Sequence, residues 1–98
     1  MSTFVCLFNW TDQGIKNVRD TTKRSERFEA AIKKAGGSVK GIYWTLGRYD
    51  GLIVFEAPDE ASATAIMLSG GALGSVRTET LRAFDAEEMD KILEKMRA

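Results

Sequence analysis

Gly47-Arg48-Tyr49-Asp50-Gly51-Leu52-Ile53-Val54-Phe55 is a polar turn that runs straight into an apolar strand. A predicted strand, Val39 to Leu46, precedes it, and a second, Gly51 to Ala57, follows it. Two strands separated by a short glycine-containing turn form a hairpin. Gly47 supplies the backbone freedom that such a turn needs. The hairpin fixes the middle of the fold, and the elements on either side are read outward from it.

Upstream, Thr3 to Trp10 is rich in Phe, Val and Leu and has strand character. Thr11-Asp12-Gln13-Gly14 is polar punctuation. The spacing then predicts one long helix from Ile15 to Ala35. Ile15, Val18, Thr22, Ser25, Phe28, Ile32 and Ala35 recur every three or four residues and so share one face. Gly36-Gly37 is the expected C-terminal cap. Downstream, Pro58-Asp59-Glu60 opens a second helix, because proline suits a first turn and acids suit the positive end of the helix dipole. It is rich in small residues (Ala61, Ala63, Ala65) and is expected to stop near Ser69-Gly70-Gly71. Val76 to Phe84 is a fourth strand. Asp85 with Glu88 makes a capping-box start for a last helix, whose apolar stripe is Met89, Ile92, Leu93 and Met96.

The order is therefore β-α-β-β-α-β with an added C-terminal helix. This is an α+β, ferredoxin-like arrangement of two split β-α-β units in one antiparallel sheet. Handed crossovers give the spatial strand order 4-1-3-2. No repeat, linker or low-complexity tract interrupts the chain, so residues 1–98 are expected to form one domain.

The predicted sheet has a second face that the helices leave open. The first strand is apolar at both parities, with Phe4, Cys6 and Phe8 on one side and Val5 and Leu7 on the other. The third strand repeats this, with Leu52 and Val54 against Ile53 and Phe55. Strands wet on one side alternate apolar with polar; strands buried on both sides do not. A second copy of the sheet is the economical cover, so the expectation is a homodimer, a dimeric α+β barrel. Thr78, Glu79, Thr80 and Arg82 mark the fourth strand as the wetter margin.

Composition narrows the chemistry. The 98 residues are 44% hydrophobic and 29% charged, the balance of a soluble globular protein. Formal net charge is zero, so no global field draws the chain to nucleic acid or to an anionic membrane. The basic run of Lys16, Arg19, Lys23, Arg24, Arg27, Lys33 and Lys34 is interrupted by Asp20, Glu26 and Glu29, and reads as a solvated helix face with i to i+4 pairs. Gly70-Gly71 with Gly74 lacks the Lys-Ser/Thr that follows in a phosphate loop. No apolar run approaches a membrane span and no signal peptide is visible at Met1-Ser2-Thr3-Phe4. With a single cysteine, Cys6, these features fit a cytoplasmic protein. Histidine is absent, which removes the commonest general base and metal ligand. Structural zinc, axially ligated haem and a Ser-His or Cys-His nucleophile are thereby disfavoured, and no cofactor is expected.

Spaced motifs carry a family resemblance along the chain. They are Asn9-Trp10-Thr11-Asp12-Gln13-Gly14, Tyr43-Trp44-Thr45-Leu46-Gly47-Arg48-Tyr49-Asp50 and Glu56-Ala57-Pro58-Asp59. Val76-Arg77-Thr78, Thr80 to Phe84 and Glu87-Glu88-Met89 complete them. In order and spacing the chain resembles the GYD-domain family of small bacterial and archaeal proteins, the name-giving residues being Gly47, Tyr49 and Asp50. The family in turn resembles the dimeric α+β barrel superfamily, which includes cofactor-free oxygenases, isomerases, haem enzymes and ligand-sensing domains. The resemblance thus implies a fold and an assembly, and leaves the activity open.

The expected topology gathers polar motifs at one end. The end of strand one, the Gly47–Asp50 turn, the start of strand four and the N-terminus of the long helix all lie there. Trp10, Asp12, Tyr49, Asp50 and Arg77 are accordingly candidates to line a ligand cleft between sheet and helices. Each has a plainer role. Asp50 caps a turn or pairs with Arg48 or Arg77, Tyr49 is a packed ring, Trp10 and Trp44 are core or dimer contacts, and Asp12 starts a helix. Three functions follow. One is a homo-oligomeric small-molecule binding module, the reading preferred here. Another is a cofactor-independent oxygenase or isomerase with Asp50 as base and Tyr49 as oxyanion donor. The last is a structural or interaction subunit with a filled pocket.

Overall fold

Strands β1 (Ser2–Trp10) and β3 (Gly51–Ala57) pair antiparallel at the centre of a four-stranded sheet. The structure, a computed structural model, describes residues 1–97. Edge strand β2 (Ser38–Trp44) lies beside β3, and edge strand β4 (Val76–Ala83) beside β1. The order β2-β3-β1-β4 is the expected 4-1-3-2. Between β1 and β2 run a short helix α1 (Asp12–Lys16), a 3₁₀ turn at Val18–Asp20 and helix α2 (Thr21–Lys34). Helix α3 (Glu60–Ala72) links β3 to β4, and α4 (Ala86–Glu94) follows β4. The architecture is α+β and ferredoxin-like, as the element order implies.

The alternation of the strands decides which side chains meet. Phe4, Cys6 and Phe8 point to one face, where β3 places Ile53, Phe55 and Ala57. Ile32 of α2 and Ala63, Ile66 and Met67 of α3 close over them. Phe4 stacks on Phe55, its partner in register, with ring centroids 5.5 Å apart. Ile32 and Phe55 are wholly buried. Each contributes about 1.5–3 kcal/mol by leaving water. The opposite face carries Val5 and Leu7 in register with Val54 and Leu52, all half-buried, and no helix lies over it among the described residues.

The single long helix expected from Ile15 to Ala35 is instead broken. Thr11 is held to the start of β4 by its N–H on the Ser75 carbonyl (3.1 Å) and its hydroxyl on the Gly74 carbonyl. The same hydroxyl caps α1 by accepting the Gly14 N–H. Gly14 sits so close to the Ser75 carbonyl that a Cβ there would collide with it. These ties fix the direction of α1, and the chain must turn before it can lie over the sheet. Asn17 makes that turn with non-helical ψ of 28°, and its carbonyl accepts from Asp20 N–H and from the Arg24 guanidinium. Ile15, assigned by periodicity to the inner face, is consequently half exposed.

Other boundaries move less. Pro58 stays outside α3, whose cap is Asp59, accepting Ser62 N–H at 2.7 Å. That bond holds the Asp59 carboxyl below the usual carboxylate range. Helix α3 runs on through Gly70 and Gly71 to Ala72. Strand β2 starts at Ser38 and bulges between Val39 and Gly41. The Asp85–Glu88 capping box forms as expected. Glu88 also binds Arg82 at 3.0 Å, while the Arg82 guanidinium lies over the rings of Phe84 and Phe4. Met96 falls beyond the end of α4, and no residue of α4 joins the buried core.

Candidate functional site

The Gly47–Asp50 turn is fastened to the end of β1 by Asp50. Its carboxylate accepts the Trp10 backbone N–H at 2.9 Å and the Asn9 side-chain amide at 3.5 Å. Its own N–H donates to the Phe8 carbonyl at 2.9 Å, and its carbonyl accepts from Thr45 N–H. Asn9 also donates to the Arg48 carbonyl at 2.9 Å. Gly47 adopts φ of 103°, a left-handed conformation that glycine takes without a Cβ penalty. The turn is thus a fitted joint between the hairpin and the central strand.

The five residues expected along one cleft divide between two sides of the sheet. Trp10 follows Phe4, Cys6 and Phe8 in parity and packs against the core, with its indole Nε1 buried and unpartnered among the described residues. Asp12 is exposed in the first turn of α1. Arg77 is opposite Asn9 in register, on the open face, and is exposed. The Tyr49 hydroxyl donates to Glu79 Oε2 at 3.3 Å, and Glu79 lies opposite Leu7 on that same open face. Arg48 stacks over the Tyr49 ring at 5.8 Å. Asp50 sits between the two groups and, of the other four, joins Trp10 alone.

A concavity lies elsewhere. A cavity of about 850 Å³ opens between the core face of the sheet and the helices α2 and α3, and none of those five residues lines it. Cys6, Phe8 and Ile53 form its floor, and Phe28, Ile66 and Met67 stand at its helical walls. Its size follows from the sequence of the helices. Ala31 on α2 and Ala65 and Gly70 on α3 line it with little side chain to fill the space. Burial pushes the Cys6 thiol up to about 11, so the floor holds a neutral sulfur. Trp44 reaches the cavity from β2, its indole N–H donating to Thr21 Oγ1 at 3.1 Å.

Helix α2 gives the cavity its charged side through Arg24, Arg27 and Lys34. The expectation for these residues is a solvated face with ion pairs along the helix; Arg27 and Lys34 are exposed and Arg24 is half-buried. Among the described residues the ion pairs are Lys40–Glu56 and Arg82–Glu88, and neither lies within α2. Arg24 instead donates to the carbonyls of Asn17 and Gly14, across the helix break. The signal that would have found the site was the pairing of a small-residue helix, Ala61 to Gly71, with Arg24 one turn before Phe28 on α2 and with Arg27 and Lys34 on the flank of that face. Among the described residues no three His, Cys, Asp or Glu side chains come together as a metal-binding group. No helix among them is long and apolar enough to cross a membrane.

The chain is 32% identical over 90 residues to the glutamine synthetase and cystathionine beta-lyase binding protein of Thermus thermophilus, covering 91% of this chain and 95% of that one. A crystal structure of the Thermus thermophilus protein TTHA0845 superposes with a TM-score of 0.56 at 26% identity, covering 88% of this chain and 96% of the other. The GYD domain model matches residues 4–93. Those residues span all four strands, the hairpin joint and both walls of the cavity, and the chain belongs to the GYD-domain family.

Proposed function

We propose that this protein is a self-associating small-molecule binding module whose ligand occupies the cavity between the sheet and helices α2 and α3. One observation carries the reading: a concavity of about 850 Å³ with a mainly apolar lining, cations from α2 and scattered hydroxyls from α2, α3 and β4. Small-molecule sites have that form, with volumes of roughly 300–1,000 Å³. Self-association is supported by the apolar open face at Val5, Leu7, Leu52 and Val54, which a second sheet would cover. The unpaired Cys6 suits a reducing compartment, and the cytoplasm is the proposed location. Native mass spectrometry of protein purified from its own host tests the reading. The expected species is an oligomer with a small molecule in each chain; an oligomer of bare chains goes against it.

A second reading rests on the Thermus relative, which is named as a binding protein for two enzymes. By that likeness this chain binds protein partners, the host's own glutamine synthetase being the first to titrate by calorimetry. A reaction at Tyr49 and Asp50 is supported less well. The Asp50 carboxylate is engaged by the Trp10 N–H, and the Tyr49 hydroxyl is turned to Glu79 on the other side of the sheet.

A further inference from the structure

The cavity carries charge of one sign. Arg24, Arg27 and Lys34 line it, and among the described residues no Asp or Glu does. The whole chain balances 14 basic against 14 acidic residues, so this lining is not a sample of the average surface. None of the three cations has a carboxylate within ion-pair distance among the described residues. At a rise of about 1.5 Å per residue, they extend over roughly 15 Å of α2, along one wall of the cavity. The Arg24 guanidinium is held in place by the Asn17 and Gly14 carbonyls at 3.0 and 3.5 Å.

We infer that the cavity takes an organic anion, with an apolar body between sheet and helices and one carboxylate, sulfonate or phosphate head on the cationic side of α2. The inference rests on the binding-module reading and gives its ligand a chemical class. The floor of Cys6, Phe8 and Ile53 offers the body no charged partner, and the Cys6 thiol stays neutral there. A cationic ligand would meet three like charges. A polar neutral one would find hydroxyls at Ser25, Ser62, Ser69 and Thr78, but would leave the three cations without a counter-charge. A polynucleotide needs a longer run of phosphate contacts than three cations supply; here they border a cavity with an apolar floor.

Two fluorescent probes that differ by one charged group test the inference: anilinonaphthalene sulfonate, and its neutral parent N-phenylnaphthylamine. The sulfonate is expected to bind one per chain, about tenfold or more tightly than the neutral probe, the factor of one charge-assisted hydrogen bond. Arg27→Gln with Lys34→Gln should lower that ratio, and so should added salt. Lys91→Gln, on α4 and outside the cavity, should keep it. Equal affinity for the two probes overturns the anion inference and leaves a binding cavity without charge preference. A ratio unmoved by the double variant overturns it as well. Failure of both probes to bind overturns the binding-module reading itself, and the inference with it. Thermal melts of each variant confirm that changes in the ratio come from folded protein.

Discussion

The carboxylate of Asp50 accepts the backbone N–H of Trp10 at 2.9 Å, across 40 residues of chain. Beyond Phe8, where pairing of β1 with β3 ends, this side chain takes the place of a partner strand. Asp50→Ala leaves that N–H unmatched in a partly buried position. The expected loss is about 1–3 kcal/mol of unfolding free energy. Asp50→Asn keeps an acceptor and should cost about 1 kcal/mol or less. Urea denaturation of the pair checks both values, and equal stability of the two variants would mean that the acceptor contributes nothing.

Trp10 buries an indole N–H with no partner among the described residues. Trp10→Phe removes the unmatched donor and part of the ring. The recovered desolvation, about 1–3 kcal/mol, offsets the lost packing. Stability within about 1 kcal/mol of the parent is expected, against a loss of about 3 kcal/mol for Trp10→Ala. Denaturant melts of the three proteins measure the difference. A loss for Trp10→Phe as large as for Trp10→Ala would show that the indole nitrogen has a partner in solution.

Cys6 predicts an alkaline limit. Its thiol is held at about 11 in the folded chain against an ordinary value of 9.0, because burial disfavours the thiolate. The unfolded chain therefore loses this proton first. Stability is unaffected below the ordinary value, then falls as pH rises through the folded one, by about 2–3 kcal/mol in total. Cys6→Ala should flatten the fall between about pH 9 and about pH 11. Identical slopes for parent and variant would sink the prediction.

The open sheet face predicts the assembly. Light scattering at micromolar concentration should show a dimer or larger. Val54→Lys places a charge on the central strand beside Val5, its partner in register. It should yield monomer with the circular dichroism of the parent. A monomeric parent protein would remove the predicted interface.

Much of this architecture was legible because it rests on local patterns. Apolar residues at both parities of Thr3–Trp10 and Gly51–Ala57 mark central strands, and Asp85 with Glu88 marks a helix start without any knowledge of the fold. The break at Asn17 was not legible. Ile15 and Val18 satisfy helical spacing, and the tie that defeats them is a contact between Thr11 and Ser75, distant in sequence. The expected site failed to assemble as one cleft for a related reason. Topology brings Trp10, Tyr49, Asp50 and Arg77 to the same edge, but parity sends their side chains to different faces. The cavity was hidden because what makes it is missing volume. Ala31, Ala65 and Gly70 read one by one as helix formers or punctuation, and their common consequence appears only when α2 and α3 are laid side by side.

The link between β4 and α4 divides the molecule into parts of unequal cooperativity. Helix α4 adds nothing to the buried core, and Met89 and Leu93 are nearly half exposed. Its order depends on its own capping box and on one guanidinium, Arg82, seated over Phe84 and bonded to Glu88. An element held in this way opens by a sub-global step that leaves the sheet intact. Its amide protons exchange with solvent well before those of β1 and β3. Helix α4 is therefore the part whose lifetime in the helical state a bound neighbour is best able to lengthen.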